Sequence, residues 1–422
     1  MNSDKIKKII VEICRIIIGI VFIFSGFVKA VDPLGSAYKF QDYFAAFGMS
    51  YFDWTTLPAS FLLSAFEFVL GVCLLVGVYR KLTAWLVVLF MGFMTLLTLY
   101  SAITNPVSDC GCFGDAVILS NWATFFKNIP LLLGAVAILI WNQKIFSLFY
   151  DKTDWIVLLY TYLFILGVSL YCYNHLPILD FRPYKVGANV PDLMVIPEGA
   201  PHDEYETSFI YEKEGVKKVF SLEDYPANDP DWTFVDAQTV LNKKGYQPPI
   251  HDFTITTEEG VEITDDILSD SAYTFLLIAY KFNKADDSCV DDINEIYDYA
   301  RQNNYPFYCL SASTREAVVR WIEEMGAEYP ICTTDEITLK TIIRSNPGLM
   351  LMKDGTIINK WHYRDFPKAS ELQLPLEESV VGKIPRKNNM LKMMILTGIL
   401  AIPLGILFIF SNRYKRKINT KK

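Results

Sequence analysis

The sequence is short of the residues from which metal centres and dithiol sites are usually built. It holds four histidines and eight cysteines in 422 residues, and no two of the cysteines stand in a C-x-x-C spacing. A structural zinc wants four Cys or His ligands, so little is on hand for one. Charge is also scarce: 20% of the chain is Asp, Glu, Lys or Arg, with 39 basic against 47 acidic residues and a formal net charge of -8. A chain with no basic excess cannot neutralise many phosphates, which argues against nucleic acid as a partner.

What the chain has in quantity is apolar surface, at 52% hydrophobic residues. Runs of the length that spans a bilayer, about 17 to 25 residues, occur at Ile9 to Ala30, Pro58 to Val78, Leu82 to Ile103, Trp155 to Tyr173 and Leu391 to Phe410. A further run from Ile129 to Trp141 gains span length from its lead-in at Trp122. Six transmembrane helices are expected. Lys5, Lys7 and Lys8 followed by "VKA" resemble a signal peptide, but the run is longer than the roughly 7 to 15 residues of such a segment, so it reads as a retained helix. Lys and Arg mark cytoplasmic loops. Lys5, Lys7, Lys8, Arg80, Lys81, Lys144, Lys152 and the closing "RYKRKINTKK" fall on one side when six helices alternate. The expected topology is a multi-pass protein of the cytoplasmic (inner) membrane with both termini cytoplasmic. The lipid bilayer is its first partner, and the basic tail meets anionic lipid.

Everything from about Tyr173 to Asn389 then lies outside the cytoplasm, in a stretch with 37 acidic and 21 basic residues between Asn174 and Asn389. Its first part, to about Gln247, offers one hairpin, "YEKEGVKKVF", turning through Glu214-Gly215. Beyond "PPIHDF", Phe253 to Thr257 and Val261 to Thr264 flank a Glu-Glu-Gly turn, and "YTFLLIAYKF" and "FYCLSA" read as buried strands. Ser288 with Asp291, and Ser313 with Glu316, have the spacing that caps helix starts, the second helix ending near Gly326. "NPGLMLMKDGTIINKW" supplies a proline, a strand, an Asp-Gly turn and another strand. This order resembles the thioredoxin fold over Gln247 to Pro385, with Pro347 where that family places a cis proline. The family's redox cysteines open the helix after the first long strand; here those positions read Asp286-Asp287-Ser288-Cys289. A helix N-terminus offers about half a positive charge, and Asp286, Asp287, Asp291 and Asp292 outweigh it, so Cys289 is expected to stay a protonated thiol. Cys309 and Cys332 read as buried packing.

In the membrane part, "RIIIGIVFIFSGFVKAVDP" combines Arg15, Gly19, Ser25, Gly26, Lys29 and Asp32, and "SAFEFVLGVCLLVGVYRK" combines Glu67 with Gly71. With "DCGCFGD" and Asn128, these residues resemble the DoxX family, in particular its branch containing the methylamine-utilisation protein MauE, over Ile9 to Trp141. The resemblance implies a four-helix membrane core and a part in maturing disulfide-bearing proteins outside the cytoplasm (in the periplasm), often alongside a thioredoxin-like partner, which here is fused on. The chain divides into a membrane core over 1–150, a fifth transmembrane helix over 151–178, a connecting segment over 179–246, the thioredoxin-like domain over 247–385, and a sixth helix with its basic tail over 386–422.

Cys110 and Cys112 stand one glycine apart in the loop between two of these helices. Thiols outside the cytoplasm tend to oxidise, and a disulfide across one residue closes a small strained ring of the labile, catalytic sort. Gly111, without Cβ, tolerates the angles so tight a ring demands. Redox exchange, a structural disulfide or ordered reduced loop, and a metal site all remain open; the loop's own ligands are only Cys110, Cys112, Asp109 and Asp115. Cys172 is expected to be the most accessible further thiol, with Cys14 and Cys73 inert in the bilayer. Glu67 lies ~13 Å below the outer surface, counting ~1.5 Å per residue from Pro58, and must be protonated or paired, with Arg15 in reach. Together with Lys29 and Asn128 it is either a proton- or quinone-linked site or a polar clasp. No quinone fingerprint or other cofactor motif is recognisable. Three functions follow: exchange between the Cys110/Cys112 pair and an extracytoplasmic protein partner; a non-catalytic scaffold whose degenerate thioredoxin-like domain docks such a partner; and a carrier for a small or lipid-like molecule.

Overall fold

The computed structural model describes residues 3–419, except 108, 203, 214, 223, 227, 228, 230, 244 and 387. Among them, six helices are long and apolar enough to cross a membrane. The first is α1 (Ser3–Val31). Asp32 then accepts from the Gly35 N–H, and Pro33 takes the first helical position of a short amphipathic helix, α2 (Pro33–Ala46). Next come α3 (Thr56–Val76), α4 (Arg80–Thr104), α5 (Asn121–Ile140) and α6 (Asp154–Asn174). A five-residue helix, α7 (Val190–Met194), leads into the part outside the bundle, and α12 (Asn389–Asn419) returns at the end.

The bundle is tightest where α1 crosses α3. A Cβ on Gly26 would lie 2.5 Å from the Phe68 backbone nitrogen and 2.7 Å from the Ser64 carbonyl oxygen, and one on Gly71 would lie 2.7 Å from the Ile23 nitrogen. Small residues let two backbones touch where lipid supplies no hydrophobic drive between helices. Gly26→Ala is therefore expected to push the helices apart and destabilise the protein by about 1–3 kcal/mol, read as a lower thermal midpoint in detergent. The seam also leaves α1 and α3 side by side at the height of Lys29 and Glu67. Val11, Ile18, Phe22, Leu70, Leu74, Val87 and Ile138 fill the core shared with α4 and α5, while Phe68, Ile165, Val168 and Cys172 seat α6 on the other side.

One end of the bundle collects the basic termini. Lys144 pairs with Asp4 at 2.9 Å, Arg80 donates to the Ile145 carbonyl at 3.2 Å, and the Tyr150 N–H donates to Ser411 Oγ at 2.7 Å. The opposite end carries the Cys110 loop and the folded part that follows α6.

That part holds two sheets. β1 (Glu204–Lys213), β2 (Val216–Phe220) and β3 (Thr233–Lys243) form an antiparallel sheet of order β2-β1-β3. The expected hairpin is present, with Lys213 opposite Val216; its turn residue Glu214 lies outside the described residues. The second sheet follows α8 (Thr264–Ser269) and contains β4 (Tyr273–Ile278), β5 (Phe307–Ser311), β6 (Ile331–Thr333), β7 (Gly348–Lys353) and β8 (Thr356–His362). Between its strands lie α9 (Val290–Gln302), α10 (Arg315–Met325) and α11 (Glu336–Ile342). The order is β6-β5-β4-β7-β8, with β4, β5 and β6 parallel and β7 and β8 antiparallel. Every residue of the central strand β4 is buried. With the cis Asn346–Pro347 bond before β7, this is a thioredoxin-like α/β arrangement.

Two local expectations fail. α9 starts after Cys289 rather than at Ser288, whose hydroxyl bonds to the Asp286 carboxylate instead. α10 starts after Thr314, and Ser313 Oγ accepts from the Phe282 N–H at 2.9 Å. Ser288 thus serves a local turn with Asp286 and Ser313 a tertiary contact with Phe282, in preference to the helix end. The core also reaches upstream of Gln247: Tyr184 and Val190 pack with Ile250, Leu276 and Ile357, and the Gly187 N–H donates to the Ile357 carbonyl at 2.6 Å.

Candidate functional site

All eight cysteines are free thiols. Cys110 and Cys112 sit in the loop between α4 and α5, both half-buried, with Gly111 between them at φ +63°. The Cys112 N–H donates to Cys110 Sγ at 3.3 Å, and the Cys112 thiol hydrogen-bonds to the same sulfur. That thiol contact, against burial acting the other way, and with help from the Thr124 hydroxyl, the Cys112 N–H and Lys127, brings Cys110 down to about 6. The same hydrogen bond, then burial, pushes Cys112 well above the ordinary range of a thiol. Two adjacent thiols are thus split into a thiolate and a protonated donor.

The loop is gripped at three points. Beneath it, Lys29 Nζ lies 2.6 Å from the Cys112 carbonyl oxygen, 2.7 Å from Ser25 Oγ and 2.8 Å from Glu67 Oε2. Ser25 Oγ also donates to the Cys112 carbonyl at 2.7 Å. On its N-terminal flank, Asp109 accepts from Lys39 of α2 at 2.8 Å and from the Gly111 N–H at 2.9 Å. On its C-terminal flank, Asp115 accepts from Arg344 at 3.3 Å. A buried charge needs a partner and hydrogen bonds for its remaining valences; Lys29 and Glu67, with side chains 6% and 4% exposed, satisfy each other and the loop together.

This corrects the expected partner of Glu67. Arg15 pairs instead with Glu12 at 2.7 Å and donates to the Phe146 carbonyl at 2.7 Å, toward the far end of α1. Lys29 lies on the same helix, 14 residues nearer the loop, and reaches Glu67 across the glycine seam. Asn128 is buried and donates to Thr98 Oγ1 at 3.2 Å, tying α5 to α4. Cys172 is a second correction: it was expected to be the most accessible further thiol, yet it is 1% exposed, packed by the α1–α3–α6 core. Cys73 is buried as well, while Cys14 is half-buried.

In the α/β domain, Cys289 is 2% exposed and its thiol is pushed up to about 12, first by burial and then by the Asp286, Asp292 and Asp287 carboxylates. The Asp286 N–H donates to the Asn346 carbonyl at 2.9 Å, next to cis Pro347. The same end of the domain meets α6: Arg364 bonds Asn174, and His175 lies 2.8 Å from Asp365. Among the described residues, no three His, Cys, Asp or Glu side chains gather as a metal site.

Sequence reasoning missed Lys39 and Arg344. Lys39 rides on α2, whose Asp32-Pro33 start is a readable helix signal; Arg344 carries no local mark, because its partners Asp32 and Asp115 are remote in the chain. A cavity of about 250 Å³ lies beside the loop between the two halves of the molecule, bounded by Lys39, Gly111, Asp115, Arg182, Lys340 and Arg344.

A family model described as Methylamine utilisation protein MauE matches residues 7–141, the segment that contains α1 to α5 and the Cys110 loop. A second, described as Domain of unknown function (DUF8463), matches residues 205–244, which the three-stranded sheet occupies. No curated protein matches the chain. Among solved structures, it is similar to the solution structure of a proposed protein disulfide isomerase from Bacteroides thetaiotaomicron, with 18% identity over 29% of this chain and 82% of that one, at a TM-score of 0.24.

Proposed function

We propose that this multi-pass membrane protein exchanges thiols and disulfides with an extracytoplasmic protein through Cys110 and Cys112, and that its α/β domain docks the partner. One observation carries the reading: two free thiols one residue apart, with the Cys112 N–H donating to Cys110 Sγ at 3.3 Å, in a loop held by a buried ion pair, an arrangement that favours the thiolate on Cys110 and the proton on Cys112. The positive-inside distribution of Lys and Arg supports an extracytoplasmic loop.

The steps balance without a further reagent. The Cys110 thiolate attacks one sulfur of a partner disulfide, forming a mixed disulfide and releasing the partner's other sulfur, which takes a proton from water. Cys110 then no longer bears the negative charge that held the Cys112 proton. Lys127 and Lys29 favour the Cys112 thiolate; Cys112 gives its proton to water and attacks Cys110 Sγ, closing the ring through Gly111 and releasing the partner's second thiolate, which takes a proton up from water. Two thiols of this chain are oxidised and one partner disulfide is reduced; run backwards, the same steps oxidise a partner dithiol.

The test is the pH profile of iodoacetamide labelling at Cys110. A midpoint near 6 is expected. The sign follows from the thiolate being the nucleophile: labelling falls about tenfold from pH 7 to pH 5 and flattens above 7, whereas an ordinary thiol of pKa about 8.5 keeps accelerating past pH 8. A midpoint at 8.5 or above overturns the reading.

The scaffold reading draws on Cys289, whose burial and elevated pKa leave the α/β domain without a usable thiol of its own. It expects a chain lacking both loop cysteines to complement a deletion strain in full, and a chain lacking 247–385 to fail.

A further inference from the structure

We infer that Arg344 of the α/β domain is a positioning residue for the Cys110 loop. Its guanidinium bridges the end of α1 and the C-terminal flank of the loop, so that the seating of the α/β domain fixes the loop's conformation. The inference rests on the exchange reading and adds a part of the chain that the reading does not use.

The geometry is specific. Arg344 Nε lies 2.9 and 3.0 Å from the two Asp32 carboxylate oxygens, and its Nη2 lies 2.9 Å from Asp32 Oδ2 and 3.3 Å from Asp115 Oδ2. Its other nitrogen donates to the Lys340 carbonyl, and the group lies 5.4 Å over the Tyr38 ring. The side chain is 7% exposed. A planar fork of this kind fixes direction as well as charge, which an ammonium cannot do.

Both carboxylates lead directly to the thiols. Asp32 caps α2, which carries Lys39 and through it Asp109 and the Gly111 N–H. Asp115 lies in the short turn Gly114–Ala116, where the Gly114 N–H donates to the Gly111 carbonyl at 3.1 Å and the Ala116 N–H to the Phe113 carbonyl at 3.3 Å. Arg344 thereby holds one flank of the loop directly and the other through α2. Arg344 itself follows α11 and stands three residues before cis Pro347, whose neighbour Asn346 accepts from the degenerate redox position at Asp286. The edge of the α/β domain next to that position is thus joined to the thiol loop of the membrane half.

The experiment is iodoacetamide labelling of Cys110 against pH in the full-length protein. Cys112, Thr124, Lys127 and Tyr43 face that thiol in every variant, so only the altered contact differs. In Arg344→Gln the midpoint is expected to rise by about one pH unit, which lowers labelling at pH 6 about fivefold. Arg344→Lys keeps the charge but cannot span both carboxylates, and gives an intermediate midpoint. Asp115→Asn separates positioning from charge. Removing a negative charge near the thiol would by itself lower the midpoint, whereas losing the loop's anchor raises it. A rise in Asp115→Asn supports the inference; a fall or no change overturns it, including where Arg344→Gln does not fold. A wild-type midpoint far above 6 sinks the exchange reading; a wild-type midpoint near 6 that no variant raises sinks the positioning role alone.

Discussion

Cys112→Ser is expected to trap the protein in a covalent complex with its partner, visible as a band of added mass on non-reducing gels that dithiothreitol removes. The Cys110 thiolate still attacks, because Lys127 remains and a serine hydroxyl can replace the thiol as hydrogen-bond donor to it. Resolution fails, because no second sulfur of this chain is at hand: Cys172 and Cys73 are buried in the bundle, Cys14 lies beside Gly134 on the half of α1 away from the loop, and Cys289, Cys309 and Cys332 are buried in the α/β domain. Intramolecular attack by a held group exceeds attack by an external thiol by orders of magnitude, so release should slow by about 10³-fold or more. Cys110→Ser should give the opposite picture, with no complete exchange and little trapped complex, since it removes the attacking thiolate and leaves the half-buried Cys112, whose thiol burial still raises. Equal behaviour of the two variants would remove the distinction between attacking and resolving sulfur on which the mechanism depends.

The largest loss of stability is expected from Lys29→Met. It leaves the Glu67 carboxylate buried without its cation and takes one of two donors from the Cys112 carbonyl. Breaking one side of a buried pair typically costs about 3–5 kcal/mol, while replacing both sides by apolar residues of similar size is often close to neutral. The double variant Lys29→Met with Glu67→Met should therefore recover most of the thermal midpoint lost by Lys29→Met. It should not recover the labelling profile of Cys110, because the loop is still without its Lys29 anchor. That split between a restored fold and an unrestored thiol is what a simple clasp between helices would not produce. A double variant with wild-type labelling would reduce the pair to packing.

The membrane helices were legible because their apolar runs exceed what a soluble core needs, and the strand order of the α/β domain because β4 and β5 are nearly continuous apolar stretches with a proline and an Asp-Gly turn downstream. Several elements were not legible, β3, β6 and α2 among them. β3 carries Asp236, Gln238 and Asn242 among its apolar residues, which blurs the alternation of a strand. β6 is three residues long, too short for any period. α2 is mostly half-buried and lies outside the apolar runs. At the site, the cysteine pair and the polar residues Lys29 and Glu67 were visible in the sequence, but not their pairing. Arg15 was the cation expected to reach Glu67, and only the depth at which α1 crosses α3 shows that Lys29 does so. Arg344 was invisible for a related reason: a contact spanning 312 residues leaves no trace in local composition.

The glycine seam has a mechanical consequence. Gly26 and Gly71 let the backbones of α1 and α3 approach closely, and Lys29 and Glu67 bridge the two helices beside that contact. If the loop makes and breaks a bond between Cys110 and Cys112 as proposed, it must deform somewhere. With its underside held by Lys29 and Ser25, that deformation would fall on the contacts to α2 and to the α/β domain. Such a layout would let the lipid-embedded half stay still through each cycle while the aqueous half registers which oxidation state the loop is in.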